Sequence, residues 1–213
     1  MGDADRDYFD GRLLFLPVSS CLMQKIILAS QSPRRKQLLE WAEIPFEIIV
    51  RETDESYPPG LDVEDVAMHI ARNKALAVQD LRKAHEIILA ADTIVVLGER
   101  IIGKPNSRED AIGILRDLSG HKHRVITGVV MRKGEKEISF ADTTDVYFHE
   151  LSAEQLAFYV DKYKPFDKAG AYAIQEWIGV VGIQSVQGDF YNVMGLPVSR
   201  VVRALNKMQA GND

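Results

Sequence analysis

The stretch Ile87-Ile88-Leu89-Ala90-Ala91-Asp92-Thr93-Ile94-Val95-Val96-Leu97 is apolar throughout except at Asp92 and Thr93. It is too rich in β-branched residues for a helix, and Gly98-Glu99 turns it back into Arg100-Ile101-Ile102. Burying an unpaired carboxylate is costly or forces protonation, so Asp92 needs a partner, a metal or a solvent-filled cleft. A carboxylate receiving backbone N–H groups near a strand end is the structural alternative. Strand ends are also where catalytic groups are commonly placed.

Around this strand the chain alternates strand and helix from Gln24 onward. Lys25 to Ala29 is a short apolar run ending at Ser30. Ser32-Pro33 opens a helix to about Ala42, with serine as N-cap and proline in first position. Phe46 to Val50 reads as a strand, and Asp62 to Lys83 as the longest helix, with Val66, Ala67, Ile70 and Ala71 at helical spacing. Ser107 caps a helix through Leu118 that Gly120 ends. Strands follow at about 123–132 and 138–148, then a helix from the Ser152-x-x-Gln155 box to Tyr163. A hairpin is expected around Gly188-Asp189, and a last helix from Pro197 to about Met208. The class is α/β: a mixed twisted β-sheet flanked by helices.

The 213 residues are 46% hydrophobic and 27% charged, with net charge −5, and no apolar run approaches ~18 residues. Collagen-like, disordered and transmembrane classes are excluded. Neither a nucleic-acid polymer nor a membrane is the expected partner, although a local basic pocket is compatible with these values. The lone Cys21 forms no internal disulfide, and a reducing cytoplasm is the expected setting. Residues 1–24 carry Asp3, Asp5, Asp7 and Asp10 ahead of Leu13 to Val18, which is not the basic start of a secretory signal. They are expected to be an extension outside the fold, disordered or upstream of an alternative start at Met23. Residues 25–208 form the folded domain and 209–213 a tail.

Three places break local rules. Arg34 and Arg35 sit in the first turn of a helix, whose N-terminus is already positive. Either an anion binds there, or both arginines reach solvent and pair with Glu40 or Glu43. Lys74 interrupts the stripe of Val66, Ile70 and Ala77; it either snorkels or points into a cleft holding negative charge. Asp92 is the third. Lys104, in Gly103-Lys104-Pro105, ends the strand returning from Gly98-Glu99 and could lie near Asp92. Asp54-Glu55, in a polar loop, could add a metal-ligating carboxylate. His121 and His123 read as solvated turn residues.

These residues lie in blocks that resemble the Maf family of nucleoside triphosphate pyrophosphatases. The blocks are Leu28-Ala29-Ser30-Gln31-Ser32-Pro33-Arg34-Arg35, Asp54-Glu55, Ala71-Arg72-Asn73-Lys74-Ala75, Ala91-Asp92-Thr93 and Gly103-Lys104-Pro105. They continue through Leu118-Ser119-Gly120, Thr144-Asp145-Val146, Asp167-Lys168-Ala169-Gly170-Ala171-Tyr172-Ala173-Ile174-Gln175 and Gly195-Leu196-Pro197. Asn73 departs from the glutamate common at its position.

The resemblance implies two lobes around a central nucleotide-binding cleft, and hydrolysis between the α- and β-phosphates with a divalent metal, Mg2+ or Mn2+. It assigns Asp92 as general base, with Glu55, Lys74 and Lys104 in the catalytic group, and Asp92 and Glu55 as metal ligands. Arg34, Arg35, Lys74 and Lys104 would bind the triphosphate, with Ser30 at the helix start, and Thr93, Lys168 and Gln175 would join in substrate binding. Arg34, Thr93 and Gln175 match the dTTP- and UTP-type pattern, and modified uridine triphosphates are within its range. The alternatives are a 7-methyl-GTP pyrophosphatase, or a nucleotide-sensing regulator of septum formation. A homodimer is implied by resemblance alone.

Overall fold

The computed structural model describes residues 24–81, 83 and 85–210. Cys21 and the expected extension up to residue 23 lie outside them, as do the last three residues of the expected tail.

Strands β1 (Ile26–Leu28) and β2 (Phe46–Ile48) flank helix α1 (Pro33–Trp41), and helix α2 (Val63–Ala77) leads to strand β3 (Ile88–Leu97). Next come β4 (Arg100–Ile102), α3 (Arg108–Leu118), β5 (Lys122–Lys133), β6 (Lys136–Phe148) and α4 (Ala153–Tyr163). Helix α5 (Trp177–Gly182), strand β7 (Ile183–Gln187) and helices α6 (Phe190–Met194) and α7 (Val198–Ala210) complete the chain. Among the described residues the seven strands form one sheet in the order β2-β1-β3-β5-β6-β7, with β4 on β3. The pairs β1–β2 and β1–β3 are parallel and the rest antiparallel, so the sheet is mixed. No described helix is long and apolar enough to cross a membrane.

Local chemistry starts the helices where the sequence places them. Ser32, Ser107 and Ser152 each accept a backbone N–H three residues on, and Gln155 completes the capping box. One helix is shorter than its spacing suggests. Val78 leaves helical geometry and buries its side chain with Ala75, Ile88 and Val130, so α2 stops at Ala77 and a 3-10 turn carries Gln79–Leu81.

Two further expectations are corrected. Gly188-Asp189 makes no hairpin. Gly188 takes a φ of +130° tight against Thr144, and Asp189 then caps α6 by accepting the Tyr191 N–H. His123 is not solvated: it lies in β5, is 1% exposed, and its Nε2 stands 2.8 Å from the Tyr172 hydroxyl. Strand alternation turns it inward between Lys122 and Arg124.

Two features of the sheet make room for a site. Strand β1 pairs with β3 up to Leu89, and β4 pairs with it from Val95. Between them one edge of β3 is open, beyond the C-terminal ends of the parallel pair, where α/β sheets usually bind ligands. Asp92 and Thr93, half-buried between the buried residues 88–91 and 94–96, lie in that gap. Second, α2 lies close on the sheet through Ala67, Ala71 and Ala75, all fully buried. Gly128, the register partner of Asp92, permits this: a Cβ there would stand 2.3 Å from the Ala67 carbonyl carbon.

Candidate active site

Asp92 and Thr93 point to opposite faces of β3, as neighbours on a strand must. Asp92 faces α2, where Lys74 Nζ lies 2.6 Å from its Oδ1 and 2.8 Å from Glu55 Oε1. Lys104 Nζ approaches the other oxygen of Glu55 at 4.0 Å. The lysine that interrupts the α2 stripe therefore joins the carboxylate that interrupts the β3 run. Burial pushes the Glu55 carboxyl up, but the bond and charge of Lys74, with the charges of Lys104 and Arg35, outweigh it and hold the group below its ordinary range.

Thr93 faces α1. Its hydroxyl accepts from Arg35 Nη2 at 2.9 Å and lies 3.0 Å from the Thr127 hydroxyl. Arg35 also donates to Ser30 Oγ at 3.1 Å and to the Gly195 carbonyl at 2.8 Å. Burial lowers its pKa, against the opposing charge of Asp92. The Ser30 hydroxyl in turn accepts the Ser32 N–H, which fixes the approach to α1. Arg35 is thus a buried brace that ties three separated segments together, and Arg34 is the more exposed of the two arginines.

Neither arginine pairs with Glu40 or Glu43. Arg34 Nη1 donates to Asp167 Oδ2 at 3.2 Å, and Lys36 takes Glu40. Lys168 Nζ lies 2.7 Å from Asp167 Oδ1 and 3.7 Å from Glu176. The Tyr159 hydroxyl donates to Glu176 and accepts the Ala173 N–H. Burial pushes the Asp167 carboxyl up, but its bonds from Lys168 and Arg34 more than offset this, leaving it below the ordinary range.

Together these groups line a cleft of about 820 Å³, with Arg34, Arg35, Arg51, Lys74, Lys104 and Lys168 facing Glu52, Glu55, Asp92 and Asp167. Ser30 and Thr93 lie on its wall. Gln175 does not: it is exposed, sits in the turn with Ile174, and lies outside the lining. Asp167 and Glu176 received no role from the sequence. A signal for the first is its place beside Lys168, whose buried charge needs a nearby acid. His123 and Tyr172 form the buried support of this wall, edge-on to each other and to Phe148.

Among the described residues no three His, Cys, Asp or Glu side chains cluster as a metal-ligand set. Asp92 and Glu55 each give one oxygen to the Lys74 ammonium, and both carboxylates keep further lone pairs. That donor set suits a hard cation that takes its remaining ligands from water and phosphate oxygens, as Mg2+ does.

Fold and site define an α/β protein with a charged cleft at the open edge of a mixed sheet. The family model described as Maf-like protein matches residues 25–208, and the chain belongs to that family. A dTTP/UTP pyrophosphatase of Cytophaga hutchinsonii is 52% identical over 86% of this chain and 84% of its own length. One from Parabacteroides distasonis is 46% identical over 85% and 94% respectively. Among solved structures, the Staphylococcus aureus Ham1 protein aligns over 60% of this chain and 73% of its own at 16% identity, with a TM-score of 0.41.

Proposed function

We propose that this chain is a nucleoside triphosphate pyrophosphatase that hydrolyses dTTP and UTP to the monophosphate and pyrophosphate. Relatives at about half identity carry that name over most of their length. The observation that carries the reading is Asp92: a half-buried carboxylate, held at 2.6 Å by Lys74, in a cleft lined with cations. Phosphoryl-type chemistry asks a protein for charge neutralisation and an oriented nucleophile.

In this reading a water oxygen forms the new bond to the α-phosphorus as the bond from that phosphorus to the α,β-bridging oxygen breaks. Pyrophosphate leaves with the bridging oxygen, and the water proton passes to Asp92. Lys74 and Lys104 offset the charge that builds on the phosphate oxygens, and Arg34 and Lys168 hold the far side of the substrate. Arg35 sets the position of Ser30 and Thr93. Asp92 and Glu55 would hold a divalent cation, Mg2+ or Mn2+, which when bound neutralises phosphate charge. The same reading takes in a cytoplasmic homodimer that clears pyrimidine triphosphates, modified uridine triphosphates among them.

A panel of canonical and modified triphosphates, scored for pyrophosphate release with Mg2+ or Mn2+, tests this. Turnover concentrated on dTTP and UTP and abolished by a chelator is expected. Turnover of 7-methyl-GTP instead, or tight binding with no turnover, would overturn it.

A further inference from the structure

We infer that Asp167 is a specificity-determining residue: with Arg34 and Lys168 it forms a donor–acceptor–donor edge that reads the imide face of uracil and thymine. The inference rests on the proposed dTTP/UTP activity and adds to it a reader outside the Arg34, Thr93 and Gln175 pattern.

The Asp167 carboxylate bridges two cations, one on each oxygen: Lys168 at 2.7 Å on Oδ1 and Arg34 at 3.2 Å on Oδ2. All three residues line the cleft, whereas Gln175 does not. Asp167 is the accessible member, its side chain 56% exposed against 21% for Arg34 and 10% for Lys168. A carboxylate has about four acceptor positions, and two are used here, so it can still accept from a ligand. Arg34 and Lys168 likewise keep N–H groups that are not committed to Asp167. The edge facing the cleft is therefore an acceptor flanked by two donors.

Uracil and thymine present the complement: the N3–H donor between the O2 and O4 acceptors. Cytosine presents an N3 lone pair and an amino group in place of N3–H and O4, which sets lone pair against carboxylate and N–H against cation. The discrimination is thus repulsive as well as attractive, as effective specificity usually is. Two bare cations would favour any phosphate. Asp167 converts them into a surface that a neutral base can satisfy.

The test is Asp167→Leu, with kcat/KM measured for UTP, dTTP and CTP, and equilibrium binding of UMP and CMP measured on the same protein. The substitution keeps the branched shape, removes both acceptor oxygens, and leaves Lys168 with Glu176 as a neighbour. The UTP-over-CTP ratio should fall about 10- to 100-fold, the size of one good base-edge contact, and the UMP-over-CMP preference should fall with it. An unchanged ratio, with tripolyphosphate and all triphosphates binding more tightly by one common factor, would make Asp167 a mere counter-anion and overturn the inference. Should Asp167→Leu fail to fold, Arg34→Gln removes a flanking donor, and the same ratio must fall. The nucleotide monophosphate arm does not depend on turnover: a wild type that hydrolyses nothing but prefers UMP to CMP through Asp167 fails the proposed function and leaves this inference standing.

Discussion

Lys74 and Asp92 meet at 2.6 Å across the seam between α2 and β3, and neither side chain is more than 17% exposed. Removing the cation leaves Asp92 and Glu55 facing each other without it. Breaking a fully buried pair from one side costs about 3–5 kcal/mol; with partial exposure, Lys74→Met should cost roughly 1–3 kcal/mol. Glu55 is held low in the folded state, so in the wild type its stabilisation is present above its unfolded pKa and is lost as pH falls through the folded value. In Lys74→Met that carboxyl moves up toward its unfolded value, so its share of the acid loss shrinks and the acid limb becomes shallower. Urea denaturation at several pH values reads both effects; a variant as stable as the wild type with the same acid limb would contradict them.

Asp92→Asn keeps size and polarity and removes the proton acceptor. Its kcat should fall about 10²–10⁴-fold, the range for a positioned base. Binding of dTTP should persist, because a negative charge facing the triphosphate has gone. Steady-state pyrophosphate release with calorimetric binding separates the two, and a loss confined to KM would refute the base assignment.

His123 gives the fold a defined acid sensitivity. Burial lowers its pKa from 6.5 to about 4, against the opposing charge of Asp145. Between those values the unfolded chain takes a proton that the folded chain refuses, so stability falls as pH drops from 6.5 to 4, by about 3 kcal/mol at most. His123→Phe should be about 1–3 kcal/mol less stable near neutrality, because Tyr172 loses its hydroxyl partner. Its stability should nonetheless fall less steeply in that window, and equal slopes for the two proteins would rule His123 out as the source.

Gly128→Ala links packing to chemistry. The added methyl meets the Ala67 carbonyl carbon at 2.3 Å and the Met68 nitrogen at 2.4 Å, both backbone atoms of α2. Overpacking against backbone should cost about 1–3 kcal/mol or more. As α2 carries Lys74, displacing it should also lower kcat. A melting temperature within a degree or so of wild type would show that α2 yields without cost.

The parts of the fold set by local chemistry were legible in the sequence. Ser32, Ser107 and Ser152 state where helices begin, and the β-branched run to Leu97 could only be a strand. The Gly188-Asp189 turn was misread because α6 is five residues long, too short to show a helical period, and a glycine before an aspartate also suits a hairpin. His123 was misread because its charged neighbours Lys122 and Arg124 look like surface, while its partner Tyr172 stands 49 residues away. In the site, Asp92 and Lys74 announced themselves as charges in apolar patterns. Asp167 did not: its neighbour Lys168 hinted at a local ion pair, but a turn toward the cleft shows only when Arg34, 133 residues earlier, is seen beside it.

The brace made by Arg35 has a consequence for the chain while it is being made. Its Nε donates to the carbonyl of Gly195, 160 residues further on. At about 5–20 residues per second, a ribosome needs roughly 8–30 s to travel that distance. Throughout that interval Arg35 can reach Ser30 and, once it is translated, Thr93, but the carbonyl that takes its Nε does not yet exist. The brace is therefore completed only after the last strand of the sheet has been made.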